Sequence, residues 1–233
     1  NDADRQRMTL SAFHDVLLSW PSLLDGFTMT IMLTLVSSLL GVGLGTLCAW
    51  ASLQGPKFAR WAIRCYVEFF RNTPFLGQIF FIFFGLPALG LKMTSVTAAI
   101  VALTINLTAY ATEIIRAGIE ATPRGQFEAA RALGLRPVQA FFLVVVPPAF
   151  QRVWPAMTSQ LVIILLASAL CSQISVAELS YAANVIASRT FRNFEAYIVV
   201  TVLYLLLAIL FRELLAWIGR RLIFGNFATA GQR

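Results

Sequence analysis

Apolar residues along this chain gather into long uninterrupted blocks, neither alternating nor recurring on one face only. The blocks cover residues 27–53, 72–91, 93–112, 153–177 and 196–211. Four of them run for roughly 20 or more residues without a charge, enough to cross about 30 Å of hydrocarbon at about 1.5 Å rise per residue. The fifth is shorter, and Leu214, Leu215, Ala216, Trp217 and Ile218 extend it if Arg212 and Glu213 sit near the interface or pair. Backbone groups in lipid must be satisfied within their own segment, so the pattern predicts five transmembrane helices and an all-α membrane protein. The first block is too long, and wrongly flanked, for a signal peptide, so no cleavable targeting segment is expected.

Composition agrees. Of 233 residues, 58% are hydrophobic and 12% charged, about half the charge of a soluble domain. The net charge of +7 raises the question of nucleic acid, which would be met by basic residues gathered on one soluble face. Here they stand between apolar blocks. Lys57, Arg60 and Arg64 follow the first block, Arg116, Arg124, Arg131 and Arg136 the third, and Arg220 and Arg221 the fifth. The positive-inside rule makes those places cytoplasmic, with the amino end outside and the carboxyl end inside. The partner implied is membrane lipid, and no nucleic acid is expected.

The expected organisation is a periplasmic or interfacial segment over 1–22, a transmembrane domain over 23–224, and a cytoplasmic tail over 225–233. His14 lies among Leu10, Phe13, Leu17 and Trp20 at helical spacing, which suggests a short helix in the outer interface and a solvated histidine. Cys48, Cys65 and Cys171 lack metal-ligand spacing and read as packing residues, so no metal is expected. Gly41 and Gly45 make a small-xxx-small pair, which favours close helix approach over nucleotide binding.

Some polar residues stand out against the apolar background. Pro74, after Arg71-Asn72-Thr73, cannot donate a backbone hydrogen bond and predicts a break, with Glu68 a candidate partner for Arg71. The break reads either as a kink with a snorkelling arginine or as part of a gate. Asn106, Tyr110 and Glu113 share one face of the third helix, and Arg116 can pair with Glu113. That face serves either a structural network or a substrate path.

Residues 121–135 connect the third and fourth blocks. Pro123 and Gly125 punctuate the connection, residues 127–133 favour a helix, and Gly134 can end it in a left-handed cap. Glu128-Ala129-Ala130, three residues, Gly134, and then Val144-Val145-Val146-Pro147 resemble the EAA loop of ABC importer permeases, with valine at the positions of isoleucine and leucine. Phe69-Phe70-Arg71-Asn72-Thr73-Pro74, Gln78-Ile79-Phe80-Phe81 and Phe84-Gly85-Leu86-Pro87 resemble a run of the polar amino-acid permeases. So do Asn106, Ala109-Tyr110, Glu113 and Arg116-Ala117-Gly118-Ile119, and Leu24-Asp25-Gly26 fits as well.

The resemblance implies a five-helix ABC importer permease (MetI-like) bundle with a cytoplasmic coupling helix at 124–135. Glu128, Ala129, Ala130 and Gly134 would dock on an ATPase dimer. ATP and Mg would belong to that partner, with no cofactor and no catalytic residue in this chain. A periplasmic amino-acid-binding protein would deliver the solute, with Glu178 and Arg189 as candidate contacts, the alternative being a solvated connector. Candidate pathway or gate residues are Arg71, Asn72, Thr73, Gln78, Asn106, Tyr110 and Ser168. Where many relatives carry K-D-T-S-L, this chain has Leu166-Ala167-Ser168-Ala169-Leu170. The missing charged pair suggests a second, non-identical permease subunit, with a homodimer as the alternative. The rival classes are a permease for another small solute, a secondary transporter, which would normally show an internal repeat, and a structural membrane subunit.

Overall fold

In the computed structural model, Val16 and residues 18–224 are described. The expected outer-interface helix around His14 and the expected tail 225–233 lie outside them. Among the described residues the secondary structure is entirely helical. In chain order, α1 is Trp20–Gln54, α2 Lys57–Arg71, α3 Phe75–Ala88, α4 Ser95–Glu120 and α5 Arg124–Ala132. They are followed by α6 Pro137–Ile174, α7 Leu179–Thr190 and α8 Asn193–Ile218, the last continued by a π-helical turn at Gly219–Phe224.

Four of these, α1, α4, α6 and α8, are long and apolar enough to cross a membrane. The pair α2 and α3, sharply bent at a short break, makes a fifth if counted as one broken span. The spans outrun the apolar blocks that predict them. The first helix begins at Trp20, ahead of position 27. The third runs on to Glu120, eight residues past position 112, because Arg116 pairs with Glu113 and Glu120 at 2.5 Å each and the helix carries its own counter-charges. The fourth starts at Pro137, well before position 153, with a π-helical stretch at Phe141–Val145 ahead of Pro147 and Pro148. Those prolines supply no N–H to the preceding turn, and the wider turn there is the local accommodation.

The break between α2 and α3 falls where Pro74 predicts it. The Asn72 backbone N–H and side-chain amide both donate to the Glu68 carbonyl, at 3.2 and 2.7 Å. The Thr73 hydroxyl donates to the Phe69 carbonyl at 2.9 Å. Carbonyls left open by the end of α2 thus find partners in the two residues ahead of the proline.

The chain divides into two compact units. One contains the chain up to Ser37, Phe75–Leu103 and Ile163–Leu210. Within it, α3 and α7 both pack against the 3-10 turn Ser168–Ile174 that ends α6. Thr30 of α1 accepts a hydrogen bond from the Leu179 N–H at 3.3 Å. A Cβ on Gly26 would meet the Glu178 backbone at 3.0 Å, so glycine is what lets α1 approach the start of α7. The segment after α6, expected as an outer connector, is therefore packed: Leu179, Ala182, Ala183, Ile186 and Ala187 are buried.

The other unit contains Ser38–Pro74, Thr104–Val162 and the chain from Phe211. Gly41 and Gly45 are the close-packing pair read from their spacing. A Cβ on Gly41 would stand 2.7 Å from the Leu107 side chain, and one on Gly45 would stand 2.6 Å from the Ala111 Cβ. Gly43 between them faces open space. The Tyr66 hydroxyl of α2 donates to the Ile105 carbonyl of α4 at 2.6 Å. Trp154 of α6 donates to the Leu215 carbonyl of α8 at 3.1 Å, and Arg152 to the Ala121 carbonyl at 2.9 Å.

Candidate functional site

The short helix α5 begins directly after Pro123, whose extended backbone turns the chain out of the α4 exit. It therefore starts earlier than the expected helix core at 127, and Gly125 lies inside it rather than in a turn. Its carboxyl end carries the expected left-handed cap. Gly134 has φ +72°, its N–H donates to Arg131 at 2.9 Å, and the Leu135 N–H reaches back to the Ala130 carbonyl at 3.2 Å. This pairing satisfies the last carbonyls of a short helix and is open to glycine at little steric cost.

One side of α5 is held and the other is free. Ala130 is buried, and the helix packs against the Phe141–Val145 stretch of α6. Glu128 and Ala129 are exposed, and Leu133 is 78% exposed. A rigid peg with an acid, a small residue and a bare leucine on its open side can dock into a groove and transmit displacement to α6.

A second feature is a cavity of about 580 Å³ lined by the end of α1, by α2 and by the last turns of α4. Arg71 lines it and holds its guanidinium over the Tyr110 ring, 5.5 Å from the centroid. Glu113, Arg116 and Glu120 form its charged far wall as a linked triad. Of the three residues expected on one face, Glu113 lines the cavity, Tyr110 meets Arg71, and Asn106 is buried. Glu68 lines the same cavity, but the geometry gives Arg71 an aromatic partner in place of the expected carboxylate.

The remaining sequence candidates are dispersed. Asn72 and Thr73 close the end of α2 with their side chains. Gln78 and Asn106 are buried, one in each unit. Ser168 is fully buried, and its hydroxyl donates to the Leu165 carbonyl at 2.6 Å, which engages it within its own helix.

Arg189 is exposed on α7, but Glu178 is not: its residue exposure is 0%. Its carboxylate caps α7 by accepting the Tyr181 N–H at 2.8 Å and also accepts the Tyr204 hydroxyl. The expectation that Glu178 meets an outside partner is therefore corrected, since the side chain is spent on the protein's own packing. Burial pushes its carboxyl above the usual carboxylate range, against the Tyr204 hydroxyl and the backbone of Ser180 and Tyr181, which pull it down. The only signal in the sequence was its position directly after the apolar run that ends at 177 and directly before a helix. Among the described residues no group of three or more His, Cys, Asp or Glu could hold a metal ion.

Comparison with known proteins places this architecture. The L-cystine transport system permease protein TcyB of Bacillus subtilis (strain 168) is 36% identical over 170 residues, covering 73% of each chain. The arginine transport system permease protein ArtQ of the same organism is 32% identical over 201 residues, 86% of this chain and 90% of that one. Among solved structures, an amino acid ABC transporter crystallised with histidines superposes with a TM-score of 0.80 at 36% identity, covering 90% of this chain and 98% of that one. An inward-facing MetNI methionine ABC transporter superposes with a TM-score of 0.70 at 25% identity, over 86% and 95%. The family described as binding-protein-dependent transport system inner membrane component matches residues 41–224. This chain belongs to that family, and is a multi-pass permease subunit of an ABC importer in the inner membrane.

Proposed function

We propose that this permease moves polar amino acids, or close derivatives, into the cytoplasm by alternating access, driven by a separate ATPase. The observation that carries the reading is α5: a capped peg between two long apolar helices, with Glu128, Ala129 and Leu133 open to a partner. Hydrolysis would reside in a cytoplasmic ATPase dimer holding ATP and Mg, and this chain would supply no catalytic group. Closure of that dimer would displace α5, and through Phe141–Val145 shift α6, biasing a two-state equilibrium between inward-open and outward-open forms. The orientation that serves this has the amino end outside and the carboxyl end with α5 inside, as the basic residues favour.

Amino-acid cargo is supported by the likeness to permeases of cystine and arginine transport systems. A periplasmic binding protein would deliver it, with Arg189 as the remaining outer contact. Arg71, Asn72, Thr73, Gln78, Asn106, Tyr110 and Ser168 remain the proposed path or gate. Arg71 and Tyr110 lead this set, since Arg71 lines the cavity and holds its guanidinium over the Tyr110 ring. The run Leu166–Leu170 lacks an intramembrane charge, which favours a heterodimer in which a second permease subunit supplies polar contacts.

The deciding experiment co-purifies tagged permease with its ATPase and measures ATP-dependent uptake in proteoliposomes. Glu128→Lys is expected to abolish both association and uptake while leaving membrane insertion intact. Uptake that persists without any ATPase would overturn the reading, and two identical permease chains in the assembly would overturn the heterodimer.

A further inference from the structure

The cavity beside α2 has a charge balance that the transport reading leaves unexplained. Its far wall keeps one negative charge in excess, because a single Arg116 is shared between Glu113 and Glu120 at 2.5 Å. Its near wall is open. Lys57, Arg60 and Arg64 line it from successive turns of α2, and among the described residues none of the three has a carboxylate within ion-pair reach. On the same helix Arg71 adds a further cation and Glu68 is the one acid. The near wall therefore keeps an excess of positive charge that outweighs the single negative charge of the far wall. Unpaired cations around a concave surface are unfavourable by mutual repulsion, and a bound anion relieves that cost.

The same helix carries aromatic surface directly beside these cations. Phe58 is 77% exposed and Trp61 63% exposed, and Trp61 itself lines the cavity. A helix with bare Phe and Trp next to a row of Lys and Arg has the composition of an interfacial segment, whose apolar side enters the acyl region while its cations meet headgroups. A soluble anion would account for the cations but gains nothing from the exposed rings. A phospholipid accounts for both, and the basic residues favour the leaflet in which anionic lipids attract such clusters.

We infer that this cavity binds the phosphate headgroup of an anionic phospholipid, held by Lys57, Arg60 and Arg64, with the acyl chains lying against Phe58 and Trp61. The site lies apart from α5 but shares its cavity with Arg71 of the proposed path. Its test reads bound lipid where the transport test reads uptake, so the two fail distinguishably. Each cation near a headgroup contributes roughly a fivefold gain in affinity, and the three together about a hundredfold. Glu68 opposes the anion, so Glu68→Gln strengthens retention by about the same fivefold.

The test uses the full-length permease in its purified assembly, delipidated and titrated with phosphatidylglycerol or phosphatidylcholine, with bound lipid read by native mass spectrometry. Wild type is expected to prefer phosphatidylglycerol. Lys57→Gln/Arg60→Gln/Arg64→Gln is expected to lose most of that preference, and Lys92→Gln to keep it. Should the triple variant fail to assemble, Arg60→Gln alone carries the expected fivefold loss, and rising salt should weaken retention by wild type. Four results overturn the inference: undiminished phosphatidylglycerol binding by the triple or single variant, equal retention of phosphatidylcholine, an equal loss in Lys92→Gln, or displacement by inorganic phosphate at matched concentration. The last would assign the cavity to a soluble anion.

Discussion

Glu178 and Tyr204 meet inside the protein, the tyrosine hydroxyl donating to the carboxylate while the other carboxylate oxygen caps α7. The contact joins the start of α7 to the middle of α8, and α1 closes against it through Gly26 and Thr30. A charged group is thereby taken out of solvent in a place where it has both a phenol and a helix terminus to hold it.

Stability of this unit should depend on pH through that carboxyl. Its folded pKa lies above the ordinary carboxylate value, so its contribution is fully present below that ordinary value and is lost as pH rises through the folded pKa. Thermal unfolding in detergent, followed from acidic to neutral pH, should show the fall. Glu178→Gln keeps the polar contacts without the titration and should flatten the curve. An unchanged pH profile in the variant would place the dependence elsewhere.

Three glycines in α1 give an internally controlled comparison. Gly45→Val should cost about 1–3 kcal/mol through overpacking, because its Cβ would lie 2.6 Å from that of Ala111 and 3.1 Å from the Thr112 backbone nitrogen. Gly41→Val should behave similarly against Leu107. Gly43→Val should be tolerated, since nothing lies within 4 Å of its Cβ. Melting temperature in detergent ranks the three, and equal losses would refute packing as the reason for this glycine spacing.

Replacing Gly134 by valine forces a β-branched residue into φ +72°, at a cost of roughly 1–2 kcal/mol. The end of α5 should fray, and ATPase association should weaken more than overall stability. Gly134→Asn should retain most of the association, because asparagine adopts the left-handed region more readily. Binding of the ATPase by both variants at wild-type strength would show that the cap does not position the helix.

Tyr66→Phe removes the hydroxyl that reaches the Ile105 carbonyl. Side-chain hydrogen bonds between membrane helices average about 0.6 kcal/mol, so the loss of stability should be small. A melting shift as large as that of Gly45→Val would mean that Tyr66 does more than tie α2 to α4.

How far the fold was legible depends on how local the cause is. Apolar runs, the Pro74 break, the Gly134 cap and the Glu113–Arg116 pair arise from neighbours within a few positions, and each is found where the order of residues puts it. Helix lengths were less legible. Charges at Arg116 and Glu120 look like the end of a span until their pairing is seen, and Pro147 and Pro148 look like a break until the preceding π turn is seen.

The residues of this chain, taken in order, determined that it crosses a membrane several times and carries a capped peg between two spans. Insolubility of apolar side chains in water, and the need to satisfy every backbone group in lipid, act without reference to partners far along the chain. Only the tertiary structure decided that Glu178 turns inward, that Tyr66 reaches Ile105, and that Lys57, Arg60 and Arg64 border a hollow. Those outcomes depend on which faces of distant helices meet, and side-chain spacing along one helix carries no record of what is packed against it.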